Sequence, residues 1–340
     1  MKKKILYVER KPSEFVSIEK IFRSVASNLS DDFEYEFQQS PFGSRFSHIV
    51  GNLLFFRKKK ADIYHITGHV HYLALLFSPL NTILTIHDIG FLYRPHGFRR
   101  WLVKKLFLDW PVKRLKFITA ISEHTKNEII RFSGCPGEKI TVIDDPLLIA
   151  PVTDAARQFN QTNPTILQVG TAENKNVPNI VRALRGIDCN LRIIGRMHDR
   201  IAAVLAENGV NFENGLELTH EQMLDEYKKA DLVTFCSTHE GFGLPIIEAQ
   251  AMRKPVITSN ISPMAETSGG AAVLVDPNDP DSIRAGIQKV IRNTDYRNDL
   301  IEAGLRNIKR FAPHTVAEKY EDYYKKILSI GSKSDGNSEN

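Results

Sequence analysis

The segment STHEGFGLPIIE, residues 237–248, holds the residues whose types and spacing most clearly indicate chemistry. A β-rich run precedes it, and Pro245 falls where the first turn of a helix is expected. The first N–H groups of a helix have no partner within that helix, and glycines let a bound group approach the backbone closely. We therefore predict a phosphate-type anion site at this helix N-terminus, formed by Gly241, Phe242, Gly243 and Leu244.

Two carboxylates flank this predicted anion site. Glu240 precedes the helix, and Glu248 lies about one turn inside it. Because a carboxylate beside a phosphate would repel it, we expect both side chains to bind sugar hydroxyls on either side of a diphosphate. A plain strand, loop and helix with a capping glutamate is the alternative interpretation, and a GxG spacing alone does not exclude it.

The residues that follow extend this pattern into a family resemblance. HEGFGLPIIEA is followed by KPVITS, AE, GGA and LVDP within residues 254–277, and the two glutamates have the spacing E-x7-E. Over about residues 165–330 the order and spacing closely resemble the donor-binding domain of the large retaining glycosyltransferase family four. The resemblance implies a GT-B fold, with two Rossmann-like domains facing each other across a cleft and a final helix that crosses back to the first domain.

The same resemblance implies an activity. The donor would be a nucleoside-diphosphate sugar, the acceptor a hydroxyl of a glycan or lipid-linked glycan, and no metal or other cofactor would be needed. Configuration at the anomeric carbon would be retained. Glu248 would bind the ribose, Glu240 the donor sugar, and the amides of residues 241–243 the sugar and diphosphate. We expect a hexosyltransferase of polysaccharide, lipopolysaccharide or glycolipid biosynthesis.

A second anion-binding element is expected in the loop VGTAENKN, residues 169–176. Lys175 follows a predicted strand and precedes a predicted helix, where it is placed to neutralise the charge of a departing diphosphate. Gly170 and Thr171 are expected to line the donor site beside it. Family four commonly carries an arginine at the position of Thr171 or Asn174, so Lys175 is the lone cation of this loop unless Arg196 joins it.

His87 ends a predicted strand in the segment TIHDIGF, which resembles the histidine loop of family four that faces the donor sugar. The carboxyl end of a strand in an open α/β sheet is the usual ligand side. A hydrogen-bonded structural histidine is an equal alternative. With that alternative open, the predicted catalytic residues are Glu240, Lys175 and His87.

No metal site is predicted. The histidines of YHITGHVHY have no carboxylate or cysteine at metal-ligand spacing, so we expect His65, His69 and His71 to line the acceptor site or lie on the surface. The triplet DPD at residues 279–281 matches the DxD of metal-dependent glycosyltransferases, but its place after a strand favours a helix cap. The cysteines show no CxxC spacing and predict no disulfide framework; they are Cys135, Cys189 and Cys236.

Short β-branched runs alternate with longer amphipathic segments, which is typical of parallel sheets covered by helices. Strands are predicted near residues 4–9, 33–37, 62–66, 82–87, 116–121, 165–170, 191–194, 232–236, 256–259 and 272–275. Helices are predicted near residues 13–29, 45–56, 98–108 and 122–132, from 177, and from 313 to 328. Thr219 and Gln222 have the spacing of a capping box.

These elements are grouped into two domains. We place an N-terminal acceptor-binding domain at residues 1–150, to which the last helix, about 313–330, also belongs. A C-terminal nucleotide-sugar-binding domain is placed at 160–312, after a polar linker. Residues 331–340 are expected to form a disordered tail.

Two positions depart from the family pattern. The loop after the first strand, ERKP at residues 9–12, lacks the paired glycines of many relatives, so no acceptor contact is assigned there. Arg253 stands where relatives commonly have a glycine at a helix end, which predicts a left-handed residue strained by roughly 1 kcal/mol.

The composition is that of a globular protein with an uneven charge. Of 340 residues 42% are hydrophobic, which argues against disorder, and no apolar run approaches the ~18 residues of a membrane span. The start MKKK lacks the apolar core of a signal peptide, so we expect a cytoplasmic protein. Residues 1–150 carry 23 Lys and Arg against 15 Asp and Glu, whereas the remainder carries 22 against 25.

The basic first half predicts an anionic partner. Residues 98–108 form a basic amphipathic segment, and FFRKKK at 55–60 adds a second basic cluster. Peripheral contact with the anionic inner face of the cell membrane is one interpretation. An apolar stripe facing the core, with a solvated basic back, is the other. Nucleic acid is not expected as a partner, since no nucleic-acid-binding module is recognisable.

Two other functions stay open at this point. A nucleotide-sugar epimerase can share the GT-B architecture, although the E-x7-E context argues against it. A catalytically degenerate subunit that binds a sugar nucleotide would fit the missing arginine. A nicotinamide-dependent dehydrogenase is disfavoured, because no GxGxxG follows the first strand of either half.

Overall fold

A computed structural model describes residues 2–11, 17–43, 46–93, 96–153 and 158–336. They fall into two compact units, the first made of Met1–Leu148 and Phe311–Asn340 and the second of Ile149–Arg310. The expected domain limits at residues 150 and 312 lie within two residues of these divisions. Pro12, Arg45, the first residues of the helix predicted at 13–29 and the last four residues of the expected tail lie outside the described residues.

The first unit is built on a six-stranded parallel sheet with the strand order β2-β1-β3-β4-β5-β6. Its strands are β1 (Lys3–Glu9), β2 (Phe33–Gln39), β3 (Ile63–Ile66), β4 (Thr82–Ile86), β5 (Phe117–Ala120) and β6 (Ile140–Val142). β1, β3 and β4 are almost wholly buried, as expected of strands covered by helices on both faces. The chain changes direction across the sheet between β1 and β3, so a topological switch point lies at their carboxyl ends.

Six α-helices of the described residues belong to this unit. They are α1 (Ser17–Ser27), α2 (Ile49–Phe55), α3 (Gly97–Lys104), α4 (Trp110–Arg114), α5 (Glu123–Ser133) and α13 (Pro313–Gly336). A π-helical turn, Lys105–Asp109, joins α3 to α4. This turn carries the helical segment past the predicted end at residue 108, because Pro111 falls in the first turn of α4, where a missing N–H is tolerated.

The second unit has a six-stranded parallel sheet with the order β12-β11-β10-β7-β8-β9. Its strands are β7 (Thr165–Val169), β8 (Asn190–Ile194), β9 (Phe212–Gly215), β10 (Leu232–Phe235), β11 (Val256–Ser259) and β12 (Val273–Val275). Its helices are α6 (Val177–Leu184), α7 (Asp199–Asn208), α8 (His220–Lys229), α9 (Leu244–Ala251), α10 (Met264–Ser268), α11 (Pro280–Arg292) and α12 (Thr294–Asn307). The switch point of this sheet lies between β7 and β10.

The local signals in the sequence are confirmed at several helix starts. Thr219 and Gln222 form both hydrogen bonds of the capping box on α8. Asp279 caps α11 by accepting a hydrogen bond from the N–H of Asp281, and Pro280 is the first helical residue, so the DPD triplet is a cap. Arg253 has φ +56°, the left-handed conformation expected after α9.

Three predictions differ from the structure. The edge strands β6 and β9 were not expected from the sequence. β6 is only three residues long, and the only large apolar residue of β9 is Phe212, which is exposed. The final helix α13 continues to Gly336, six residues into the expected tail, since no proline or left-handed residue ends it earlier.

The three cysteines are free thiols, as predicted.

Each unit buries a hydrophobic cluster of its own. In the first it includes Leu6, Ile66 and Leu84 of the central strands, and in the second Ile166, Ile193 and Ile257. The expected return of the final helix to the first unit is confirmed, because α13 packs against α1. Among the described residues, no helix is both long and apolar enough to cross a membrane.

Candidate functional site

The loops after β7 and β10 meet at the switch point of the second sheet, and they bring the predicted lysine and glutamate together. The Nζ of Lys175 lies 2.6 Å from Oε1 of Glu240, and the two side chains are 20% and 14% exposed. The same ammonium group lies 4.5 Å from the centre of the Phe235 ring. The pair is thus partly shielded from water and lies where open α/β sheets bind ligands.

The loop after β7 is shaped around this ion pair. Gly170 has φ +89°, and a Cβ built there would come within 3.0 to 3.3 Å of the Lys175 side chain. Asn174 donates through Nδ2 to Oε1 of Glu240 at 3.1 Å and to the carbonyl of His239 at 2.9 Å. Glycine at 170 therefore makes room for the lysine, and the amide of Asn174 occupies a position where family four commonly has an arginine.

Asn176 fixes the same loop to two others. It is left-handed, with φ +59°, immediately before α6. Its Nδ2 donates to the carbonyls of Cys236, at 3.0 Å, and Pro277, at 2.6 Å. The loops after β7, β10 and β12 are tied together by one buried amide, which holds Lys175 in place.

Thr171 and Arg196 lie on neighbouring loops. Thr171 is buried, and its side chain would meet a Cβ built on Gly195 at 2.7 Å. Arg196 follows Gly195, is exposed, and has no acidic partner among the described residues. Because β7 and β8 are paired, the loop that carries Arg196 adjoins the loop that carries Lys175. An unpaired guanidinium is thus available beside the lysine loop.

The predicted anion site is a helix N-terminus, as expected. Gly243 precedes α9 with φ +107°, a conformation that glycine adopts without the steric cost of a Cβ, and Leu244 is the first helical residue. Phe242 is buried, and its carbonyl accepts a hydrogen bond from the hydroxyl of Thr267 at 2.8 Å. Gly241 lies in the bend between Glu240 and this helix. The positive end of the α9 dipole therefore lies at the loop that carries Glu240 of the ion pair.

Glu248 lies in the second turn of α9, and its carboxylate is held from outside that helix. The hydroxyl of Tyr227, from α8, donates to Oε2 of Glu248 at 2.7 Å. Tyr227 is buried, and burial together with the negative charge of Glu248 raises the pKa of its phenol well above the usual value. The phenol is therefore a permanent donor to this carboxylate at neutral pH.

The switch point of the first sheet carries a second set of charged groups. Arg10 pairs with Glu19 at 2.7 Å, and Arg23 pairs with Glu9 at 2.8 Å. Both glutamates are buried, and Oε2 of each has no hydrogen-bond partner among the described residues. The sequence offered no glycine signal here, and these buried pairs were not predicted.

His87 lies at the carboxyl end of β4, as predicted, and it is buried. Its Nε2 lies 3.2 Å from the carbonyl oxygen of Thr67, to which it donates, and its Nδ1 lies 3.8 Å from Oδ1 of Asp145. Asp145 was not predicted as a partner. Asp88 accepts a hydrogen bond from the N–H of Gly90 at 2.7 Å, which is a local turn contact.

The expectation of surface exposure for the other three histidines is wrong for two of them, which are buried. His65 is wholly buried, with Nδ1 2.7 Å from the hydroxyl of Tyr324 and Nε2 2.7 Å from that of Thr85. His71 is buried beside the carbonyl of Phe107, at 2.7 Å. Their strands and turns are covered by helices, a tertiary fact that the local spacing does not contain. His69 is half-buried.

Two family models match the chain over most of its length. "Glycosyl transferases group 1" matches residues 151–307, and "Glycosyltransferase Family 4" matches residues 35–147. The boundary between the two matches coincides with the boundary between the two structural units.

Among curated proteins, the chain is 26% identical over 250 residues to the O-antigen chain mannosyltransferase RfbU of Salmonella typhimurium, covering 70% of each protein. It is 27% identical over 283 residues to the O-antigen chain mannosyltransferase B of Escherichia coli, covering 75% of this chain and 72% of that protein. Among solved structures, HepE of Anabaena, in complex with UDP and glucose, superimposes with a TM-score of 0.71 at 15% identity. That superposition covers 95% of this chain and 100% of HepE, and it is a likeness of fold.

Proposed function

Because this chain belongs to glycosyltransferase family 4 and has the two-domain GT-B fold, we propose that it transfers a hexosyl group from a nucleoside-diphosphate sugar to an acceptor hydroxyl with retention of configuration. The contact between Lys175 and Glu240 at the switch point of the second sheet carries the proposal. The hydrogen-bonded pair supports the proposal because an ammonium group suits a leaving phosphate and a carboxylate suits sugar hydroxyls.

The donor and acceptor classes follow from the relatives. HepE has been crystallised with UDP and glucose, which supports a nucleotide sugar as the donor. The two curated relatives are named for the O-antigen chain, which supports a growing cell-surface glycan or lipid-linked glycan as the acceptor. We place the reaction in the cytoplasm, in the synthesis of cell-surface polysaccharide or lipopolysaccharide.

The leaving diphosphate needs positive charge as its bond to the sugar breaks. In this proposal Lys175 supplies the charge, the amides of residues 241–244 add hydrogen bonds, and Arg196 reaches in from the adjacent loop. These groups neutralise the diphosphate without a metal ion, so the transfer is proposed to be metal-independent. Gly170, which leaves room for the lysine side chain, and Thr171 are proposed to line the donor site beside it.

The two glutamates have separate proposed roles. Glu240 binds hydroxyls of the donor sugar through Oε2, which has no hydrogen-bond partner among the described residues, while Oε1 stays with Lys175 and Asn174. Glu248 binds the ribose hydroxyls from α9. The acceptor attacks on the face from which the diphosphate departs, through an oxocarbenium-like state, and no covalent nucleophile is assigned.

His87 is proposed to contact the donor sugar, on the strength of its family position. Its Nε2 donates to Thr67 in the structure, and Asp145 lies within 3.8 Å of Nδ1.

The first experiment identifies the donor and then tests the lysine. The melting temperature of the protein is measured with UDP, GDP, ADP and their common sugars, with and without EDTA, because a ligand that binds the folded state raises it. A rise with one nucleotide family that persists in EDTA is expected. Hydrolysis of that donor, with water as the acceptor, is then measured for Lys175→Ala.

Lys175→Ala is expected to lower turnover about 10²-fold or more, as removal of one donor to a developing oxyanion does. Lys228→Ala is the matched control, since Lys228 is exposed and pairs with Asp225 outside the site. Turnover of Lys175→Ala equal to that of the control contradicts the role of the lysine. Donor binding with neither hydrolysis nor transfer would favour a sugar-nucleotide-binding subunit, and conversion of the donor to an epimeric sugar nucleotide would favour an epimerase.

A further inference from the structure

Helix α3 of the first unit buries none of its residues completely. Leu102 and Val103 pack against the core from one side of the helix. On the other side Phe98 is 74% exposed and Trp101 is 50% exposed, and their rings stack with centroids 5.5 Å apart. Two large aromatic side chains therefore stack on each other and point away from the core. If the apolar stripe of this segment faced only the core, these two side chains would be buried.

Helix α2 has a similar outward side. Val50, Leu54 and Phe55 are 66%, 62% and 61% exposed. Ile49 and Asn52, on the opposite side, are buried. The spacing of the exposed residues, four and five apart, places them along one side of the helix. Single exposed apolar residues are common on protein surfaces. Three of them on one side of a helix form a patch, and such patches often mark a binding surface.

The two helices belong to one layer of the unit. The amide of Asn52, in α2, donates to the hydroxyl of Tyr72 at 2.8 Å, and the Tyr72 ring lies 5.3 Å from that of Phe107, just after α3. Right-handed crossovers from β2 to β3 and from β4 to β5 place both helices on the same face of the sheet. The two exposed sides therefore belong to one surface layer.

The charge around these side chains is strongly positive. Residues 46–60 and 97–114 carry ten Lys and Arg and one acidic residue, Asp109. Lys104 and Lys105 share that carboxylate, at 2.6 and 2.7 Å. Arg99, Arg100 and Lys60 have no acidic partner among the described residues. Their charge is available to an external anion.

We propose that this aromatic–basic face, made of the exposed apolar side chains of α2 and α3 with residues 57–60, Arg99 and Arg100, docks on an anionic lipid bilayer. The apolar side chains enter the boundary between headgroups and acyl chains, and the basic residues contact anionic headgroups. Exposed aromatic rings on the same helix as the unpaired cations Arg99 and Arg100 match that boundary, whereas an acidic protein partner would not require the exposed aliphatic side of α2. The inference does not rest on the proposed transfer reaction.

The two tryptophans of the chain make a direct test possible. Trp101 lies in the aromatic–basic face and Trp110, 44% exposed, lies six residues after the end of α3. Trp110→Phe leaves Trp101 as the single tryptophan. Its emission is measured with vesicles of phosphatidylcholine and with vesicles that contain about one-quarter phosphatidylglycerol. A blue shift with the anionic vesicles, and quenching by brominated acyl chains, are expected.

Co-sedimentation of the full chain with the same vesicles separates the two contributions. The double variant Leu54→Ser, Phe98→Ser is expected to bind at least about tenfold more weakly, because two large apolar side chains no longer leave water. The triple variant Arg99→Gln, Arg100→Gln, Lys60→Gln is expected to lose about tenfold or more, and high salt should mimic it. The controls, Phe212→Ser and Arg185→Gln, alter exposed residues of the second unit.

Several results would overturn the proposal. The first is absence of the wild-type protein from the vesicle pellet. The second is binding without a change in Trp101 emission, which would place the contact on another surface. The third is an equal loss in the control variants.

Discussion

At the scale of single residues, the candidate site contains the cation Lys175 and the carboxylates Glu240 and Glu248. Uncharged side chains hold the two carboxylates by hydrogen bonds: Asn174 holds Glu240 and Tyr227 holds Glu248. Asn174 donates to the same oxygen of Glu240 that pairs with Lys175. An arginine at 174 would place a second cation beside that carboxylate. With an asparagine at 174, Lys175 is the one basic residue of this loop, so the neutralisation we propose for the diphosphate rests on Lys175 and Arg196.

Tyr227 is a positioning residue whose removal should affect binding of the donor more than turnover. Tyr227→Phe deletes the hydrogen bond to Oε2 of Glu248 and leaves the shape of the side chain. The freed carboxylate loses its fixed rotamer, so we expect the KM for the donor to rise roughly 3- to 10-fold, the equivalent of one hydrogen bond, with kcat within about twofold.

Steady-state kinetics with the donor found by the melting screen measure this effect. Tyr64→Phe, a buried tyrosine of the first unit, is the matched control and should change neither constant. The melting temperature of each variant separates a kinetic effect from a loss of folded protein. A fall in kcat with an unchanged KM would contradict the positioning role.

At the scale of elements, α9 has a left-handed residue at each end. Gly243 precedes it with φ +107° and Arg253 follows it with φ +56°. The first position is glycine, which suits that backbone, whereas the second carries a side chain that forms an ion pair with Glu302 at 2.8 Å. The strain at Arg253 is confined to the helix end away from the ion pair of the site.

Substitutions at Arg253 should reveal this strain. In most helical positions an alanine variant is more stable than a glycine variant, and at residue 253 we expect the opposite. Arg253→Gly and Arg253→Ala both remove the ion pair with Glu302, so their difference isolates the backbone. We expect the glycine variant to be more stable by about 1 kcal/mol, because glycine adopts positive φ without a steric cost. Urea unfolding of the two variants measures the difference.

The matched control is Asp299, an exposed residue in the middle of α12. There Asp299→Gly should be less stable than Asp299→Ala by about 1 kcal/mol, since a helix interior favours alanine. The same order of glycine and alanine at both positions would show that residue 253 is not strained.

At the scale of the whole molecule, the first unit is held together by a buried polar chain that the final helix completes. The hydroxyls of Tyr7 and Tyr324 lie 3.1 Å apart, and His65 links Tyr324 to Thr85. Tyr324 comes from α13, more than 250 residues after His65. The buried polar groups of Tyr7 and His65 therefore have all these hydrogen bonds only when α13 packs against the first sheet.

This core predicts that stability falls in acid. Burial lowers the pKa of His65 and of His71 to about 3, below the ordinary value of 6.5. The unfolded chain takes up these protons at higher pH than the folded one, so stability decreases as the pH falls below about 6.5 and continues to decrease towards pH 3. At pH 5 each histidine should cost about 2 kcal/mol relative to pH 7.5.

Thermal unfolding at pH 7.5 and pH 5 measures the effect, and a fall of several degrees is expected. His71→Gln removes one of the two histidines whose pKa burial lowers to about 3, and it should reduce the fall by up to about half. His198→Gln, which changes an exposed histidine of the second unit, should leave it unchanged. A melting temperature independent of pH in this range would contradict the burial of neutral histidines.

The sequence by itself determined the features that depend on a few neighbouring residues. The capping box at Thr219, the proline-started helix at Asp279 and the helix N-terminus after Gly243 are set by backbone hydrogen bonds within one turn. Such contacts involve residues within one turn, so a local pattern is enough to predict them. The E-x7-E spacing indicated the family by resemblance. The alternation of strands and helices likewise indicated two α/β layers before any contact was known.

Only the tertiary structure decided which distant residues meet. The pair of Lys175 and Glu240 spans 65 residues, and it forms because β7 and β10 are neighbours in the sheet although three strands apart in sequence order. The contact of Tyr227 with Glu248, the burial of His65 and the outward direction of Trp101 depend in the same way on strand order and helix packing. A residue pattern states which side chains share a face of one element, but packing against other elements determines what that face meets.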